Sequence, residues 1–331
     1  MPAAQTLPWA QQYLDKRFEG SLVELLEAVA GLNAQTARGP LTGIWARIGA
    51  WDPAALDELC RTFQVVKANV MRGTVHLLTA RQYWAWRAAL GGALKRNVAG
   101  FCRGIWDRVD YSELITWGTD FVSDGRHLTR GEMGDAASQK FPDVIPAHLG
   151  FAMRMLLPVV EVPAATMWRP GRTRYVFAPL VCDGRPMSVE DGLEDLARSF
   201  AAAFGTNLAD DFAYWSGLTK PEASKQAHAL ADSSTHSECL IDEPTNVLAE
   251  FDNMYFCRRS SDSRLYEAKK DPRLPPARMP GSLVQDGAVV AHWSFTKQKG
   301  LQLTPWNDIS ESASNVWDRF SSWYISQELL P

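Results

Sequence analysis

The chain has 331 residues, 46% hydrophobic and 22% charged, a formal net charge of -4 and a mean hydropathy of -0.21. That balance excludes a disordered or fibrous chain and leaves room for two or three packed units of roughly 100–200 residues each. No stretch approaches ~18 uncharged apolar residues and the N-terminus lacks a secretory leader's basic start and apolar core, so no membrane helix and a cytoplasmic location are expected.

In chain order, SLVELLEAVAGL (21–32) puts Leu22, Leu25, Leu26 and Val29 on one helical face, with Ser21 as its N-cap. DPAALDELCRTF (52–63) opens Asp-Pro, an N-cap with proline at the first helical position. QVVKANVMRGTVHLLT (64–79) reads as a strand pair turning at Met71-Arg72-Gly73. Thr129 with Glu132, and Thr219 with Glu222, form capping boxes that start helices in LTRGEMGDAASQKFP (128–142) and LTKPEASKQAHAL (218–230). Of three Asp-Gly pairs, Asp124-Gly125, Asp183-Gly184 and Asp286-Gly287, the last two lie between strand-like runs and predict hairpins over 174–187 and 282–295. A last helix is expected near 310–328.

Helices followed by a short hairpin thus recur about three times, which is the winged-helix pattern: units near 1–85, 110–187 and 188–300. The expected class is α+β, mainly α, with three tandem winged-helix units, divided as 1–109, 110–187 and 188–331 once the helical connection and last helix are included.

No GxGxxG, GxxxxGK[ST], GxSxG or HExxH occurs, and the six histidines show no paired spacing. The five cysteines form no CxxC pair, so neither a zinc site nor a disulfide framework is expected. Charge is segregated. From Arg61 to Trp106 there are eight basic residues and no acid, and from Gln226 to Cys257 six acids and no Lys or Arg. The basic stretch is either a face for a polyanion or a solvated helix surface.

Asn33 and Gln35, at i and i+2 just after the first helix, would point the same way from an extended segment. Amides can hold a water and donate to a sugar oxygen but take up no proton at neutral pH, which suits a reaction whose leaving group needs little help. The same two amides would also serve to cap the preceding helix's C-terminal turn.

Five pieces in chain order, GLNAQTARGPLTGIWAR (31–47), RGTVHLLTARQYW (72–84), WSGLTKPEA (215–223), LAEFDNMYFCRRSSDSRL (248–265) and DGAVVAHW (286–293), resemble the AlkZ-type DNA glycosylases, over about residues 18 to 300. The resemblance implies three tandem winged helices forming a C-shaped, basic cleft for duplex DNA, with a Gln-x-Gln motif inside it. Asn33-Ala34-Gln35 occupies that place: Gln35 matches the second glutamine, and Asn33 is one methylene shorter than the first. It further implies a monofunctional glycosylase that hydrolyses the N-glycosidic bond of N7-alkylated purines, bulky guanine adducts or interstrand crosslinks, in DNA repair or antibiotic self-resistance. No cofactor, metal or obligate protein partner is implied, and a monomer is expected.

Gln35 would contact the attacking water and Asn33 would fix water or sugar geometry. Expected DNA contacts are Arg38; Arg72, Thr74 and His76 on the first wing; Arg169, Arg172 and Arg174 on a second wing-like loop; and Arg258 and Arg259. Trp84 and Trp86 are either core residues or platforms for stacked bases. The alternative reading is a non-catalytic winged-helix DNA-binding protein, either a transcription regulator or a damage binder.

Overall fold

Ser21 opens α1 (Leu22–Ala28) with a complete capping box to Glu24, and burial of Leu22, Leu25 and Leu26 seats the helix. The computed structural model describes residues 8–49, 51–166, 171–206, 208–233, 244–257 and 279–328. α1 ends in backbone alone: Ala30, in the left-handed region at φ 57°, sends its N–H to Glu27 O, and the Gly31 N–H reaches Leu26 O. This is a Schellman turn. It passes directly into β1 (Leu32–Asn33) and then α2 (Gly39–Arg47). α3 (Pro53–Arg61) begins with Asp52 accepting from the Ala54 N–H, as its Asp-Pro start predicts.

β2 (Val65–Asn69) and β3 (Val75–Thr79) form the predicted hairpin, and β1 adds to β3, giving the antiparallel order β1-β3-β2. The register sets Leu32 opposite Leu77 and Asn33 opposite His76. Alternation along β3 then divides the interior. Leu77 joins Leu25, Leu26, Ile44 and Leu32 in one core, whereas Leu78 joins Val66, Tyr83 and Trp86 in the other.

The chain continues through α4 (Ala80–Ala89), α5 (Gly91–Phe101) and α6 (Tyr111–Val122). A Leu128–Tyr175 bridge, α7 (Arg130–Lys140), α8 (Pro146–Leu156) and the pair β4 (Val159–Glu161) and β5 (Tyr175–Phe177) follow. This second block repeats the order helix, bridge, two helices, antiparallel pair seen from α1 to β3. Both predicted capping boxes are present, at Thr129–Glu132 and Thr219–Glu222.

The hairpin expected at Asp183-Gly184 does not form. β5 pairs back with β4, the chain turns through the short α9 (Ala178–Val181), and Gly184 packs against Trp84, whose ring would lie 2.7 Å from an added Cβ. Close approach, not a hairpin turn, explains that glycine. Asp124-Gly125 likewise follows α6 without flanking strands.

α10 (Val189–Phe204), α11 (Ala209–Ser216), α12 (Lys220–Ser224) and α13 (Ala227–Ser233) complete the helical part around Phe200, Phe204, Phe212 and Trp215. A four-stranded antiparallel sheet follows, β6 (Asn246–Leu248), β7 (Gly281–Gln285), β8 (Ala288–Thr296) and β9 (Gly300–Pro305) in that order. Here the Asp286-Gly287 hairpin holds, both residues taking the positive φ (47° and 70°) that a type I′ turn requires. α14 (Glu311–Glu328) packs Phe320 and Tyr324 onto Trp293. That sheet and α14 share their core with Trp9, Leu25, Ile44 and Trp45, so the two ends of the chain close on one another.

Among the described residues Cys60, Cys102, Cys182 and Cys257 are buried, and Cys239 lies outside them. No helix of the described residues is long and apolar enough to cross a membrane.

Candidate active site

The loop from β1 to α2 carries both amides. Asn33 is 4% exposed, and its Oδ1 accepts from the Gln35 backbone N–H at 3.0 Å. Its Nδ2 donates to Gln35 Oε1, also at 3.0 Å. Gln35 itself is exposed. The pair is therefore a single hydrogen-bonded unit with a buried foot and a solvent-facing head. It does not cap α1, whose last carbonyls are met by the Schellman turn and by Asn253.

The FDN segment holds this loop from the other side. Asn253 Nδ2 donates to Gly31 O at 2.7 Å and Val29 O at 3.2 Å. Asp252 accepts two hydrogen bonds from Arg47, at 2.7 and 2.9 Å, with both side chains fully buried. Gln12 Oε1 and Gly43 O take further guanidinium protons. Gly39, first residue of α2, leaves no room for a side chain: an added Cβ would stand 2.7 Å from Thr36 Oγ1 and 3.3 Å from the Glu250 carbonyl. Sequence reasoning quoted LAEFDN as a motif but gave Glu250, Asp252 and Asn253 no role. The signal available was Glu250, Asp252 and Asn253 clustered in a mostly apolar run.

Arg38, three residues after Gln35, is stacked 4.3 Å over Phe295, and its Nη1 donates to the Tyr324 hydroxyl at 3.1 Å. α14 and β8 thus fix a cation at the N-cap of α2, a contribution that no local sequence feature marked.

The β2–β3 hairpin, expected as the first wing, is not free-standing. Its tip, Met71-Arg72-Gly73, docks on α5, α8 and α11: an added Cβ on Gly217 would lie 3.0 Å from Arg72 Cα, and one on Gly73 2.7 Å from Met155 Cε. The Arg72 guanidinium donates to Trp215 O and lies 4.4 Å over Phe256, and burial pulls its pKa down to about 10. Thr74 Oγ1 donates to Met71 O. His76 is 1% exposed, its Nδ1 3.0 Å from Thr74 O. Of the residues expected to reach DNA on the first wing, Arg72 and Thr74 are thus half-buried and His76 is buried, with neighbouring helices packed on the turn.

The second wing-like loop is described from Gly171 onward, and Arg169 lies outside the described residues, as do Arg258 and Arg259. Arg172 is exposed at the rim of a cavity of about 360 Å3 between β2 and the β4–β5 pair, with Lys67 and Glu161 also on its wall. Arg174 pairs with Glu132 at 3.3 Å and also donates to His127 O. Trp84 and Trp86 are core residues, 4% and 0% exposed, with their indole N–H groups on Asp183 O and Asp195.

The basic stretch from Arg61 to Trp106 does not form one cationic face. Arg61 pairs with Glu58, Arg81 with Glu27 and Asp195, and Arg96 with Glu222, while Arg87 donates to the carbonyls of Met155 and Leu157. Acids from distant segments neutralise much of it.

Residues 26–319 match the family model described as DNA glycosylase AlkZ-like. The fold is similar to that of Streptomyces sahachiroi DNA glycosylase AlkZ, with a TM-score of 0.74 and 17% identity, covering 96% of this chain and 94% of that one. A comparison with curated protein sequences finds no match.

Proposed function

This chain belongs to the AlkZ-like DNA glycosylase family, and from that premise we propose that it excises N7-alkylated purines from duplex DNA, with Gln35 and Asn33 at the reaction centre. A DNA glycosylase of this kind cleaves the bond between C1′ and N9. Alkylation at N7 makes the base cationic, so the bonding pair leaves onto it and neutralises it without an acid. Positive charge then develops on the sugar, water adds at C1′, and the water's proton passes to solvent. The protein has to place the water and accept its hydrogen bond while the sugar is cationic.

The observation that supports this assignment is the Asn33–Gln35 unit. Gln35 is solvent-facing and carries a carbonyl oxygen able to accept from water, and its orientation is held by a buried Asn33. An open, solvent-facing position suits bulky guanine adducts and crosslinks better than a pocket closed around a flipped base. The same reading takes the order helix, strand or bridge, two helices, hairpin as winged-helix units, three in tandem at 1–109, 110–187 and 188–331, around a C-shaped cleft. Arg38 and Arg172 would then meet phosphates, with Arg174 available if it leaves Glu132. Repair or self-resistance in the cytoplasm is the role that follows.

The test is a duplex with a single N7-alkylguanine, followed for free base and alkali-sensitive strand breaks. Wild type releases the base. Gln35→Ala loses about 100-fold in single-turnover rate, the scale expected when a positioned reactant is lost, and Asn33→Ala loses less, both with DNA affinity unchanged. Binding without release of methyl and bulky adducts alike would reject the assignment.

A further inference from the structure

His76 stands directly across the antiparallel β1–β3 pair from Asn33, and residues opposed in this way carry their side chains on the same face of the sheet. That face is the one that also bears Leu78 and, on β2, Ala68 opposite His76. The imidazole is held at one end: Nδ1 lies 3.0 Å from the Thr74 carbonyl, which can only accept, so Nδ1 carries the proton. Nε2 is then a lone pair. It is buried and has no hydrogen-bond partner among the described residues. The ring stays neutral because burial and the adjacent Arg72 charge push its pKa down to about 3.

Asn33 presents the complementary group. Its Nδ2 has two protons, of which Gln35 Oε1 takes one. Turning the Asn33 carboxamide over would break both of its hydrogen bonds to Gln35. The Thr74 carbonyl thus sets the imidazole tautomer, Gln35 sets the amide orientation, and the two rest on facing residues of one sheet.

We propose that His76 is a positioning residue for the Asn33–Gln35 unit, its Nε2 taking the second Asn33 Nδ2 proton when the site tightens on DNA. Hydrogen bonds of this sort are commonly long in the free protein and shorten in the substrate complex. The chain runs from the Thr74 carbonyl through His76 and Asn33 to Gln35 Oε1, so the hairpin backbone sets the direction of the carbonyl that faces water. His76 touches neither substrate nor water and acts through Asn33.

This role rests on the glycosylase reading of Asn33 and Gln35, and two measurements separate the two. In the full-length protein, 15N imidazole spectra should show His76 protonated on Nδ1. Its Nε2 resonance should move upfield when duplex containing a tetrahydrofuran abasic analogue is added, and should not move in Asn33→Ala. In single-turnover base release, His76→Leu should be at least tenfold slower than wild type at equal DNA affinity. His76→Gln, which places an amide oxygen near the Nε2 position, should recover most of that loss. A proton on Nε2, no movement of that resonance with DNA, or equal rates for the Leu and Gln variants would overturn the role. If wild type releases no base while the resonance still moves through Asn33, the glycosylase assignment falls and the Asn33–His76 contact stands.

Discussion

A neutral histidine under the amide pair leaves a thermodynamic signature. The unfolded chain protonates His76 near pH 6.5, whereas the folded imidazole resists protonation down to about 3. Between those values the unfolded state binds the extra proton, so the stability from His76 is complete above pH 6.5 and is lost as pH falls toward 3. Wild type should lose stability relative to His76→Gln at about 1.4 kcal/mol per pH unit below pH 6. Urea denaturation of both proteins from pH 7 to pH 4 measures this, and parallel curves would mean that the folded ring is already charged. The amide pair was legible in the sequence because two amides at i and i+2 share a side of an extended segment. The packing around Arg72 and Gly73 was not. It comes from Gly217 and Met155, more than 75 residues away, and no local pattern around Met71-Arg72-Gly73 announces them.

Single elements depend on a few polar anchors that arrive from far along the chain. α1 ends where Asn253 meets the carbonyls of Val29 and Gly31, and α2 ends on the enclosed Arg47–Asp252 pair. Removing one partner leaves the other charge buried and unpaired, a loss of about 3–5 kcal/mol. Asp252→Ala should fall in that range and Asn253→Ala at about 1–3 kcal/mol, read as shifts in urea midpoint at constant slope. Because Asn253 holds the turn that leads into β1, Asn253→Ala should also slow base release in protein that remains folded. Turn chemistry explains which hairpins could be foreseen. Asp286-Gly287 lies between β7 and β8, which pair with one another, and it takes both positive φ values. Asp183-Gly184 has the same letters, but β5 already has β4 as its partner, so no strand remains for the turn to join.

At the scale of the whole molecule, ion pairs neutralise much of the basic stretch, so among the described residues folding rather than sequence neighbourhood decides which cations face solvent. The helical blocks, caps and first hairpin were readable because their signals are local. The shared core of Trp45, Trp293 and Phe320 was not, since it joins chain ends more than 240 residues apart. Charge follows the same rule: Arg81 and Arg96 look available in the sequence and are paired in space, whereas Arg172 is exposed. Counterion release gives this a measurable form, because each phosphate neutralised adds about 0.9 to the slope of log affinity against log salt. Arg172→Gln should therefore weaken binding to undamaged duplex evenly across sequences and lower that slope by about 1. Arg72→Gln, substituting a guanidinium spent on Trp215 O and Phe256, should leave the slope unchanged and reduce stability. Fluorescence anisotropy from 50 to 300 mM salt separates the two variants. A lower slope for Arg72→Gln would mean that the first hairpin opens and reaches the phosphates after all.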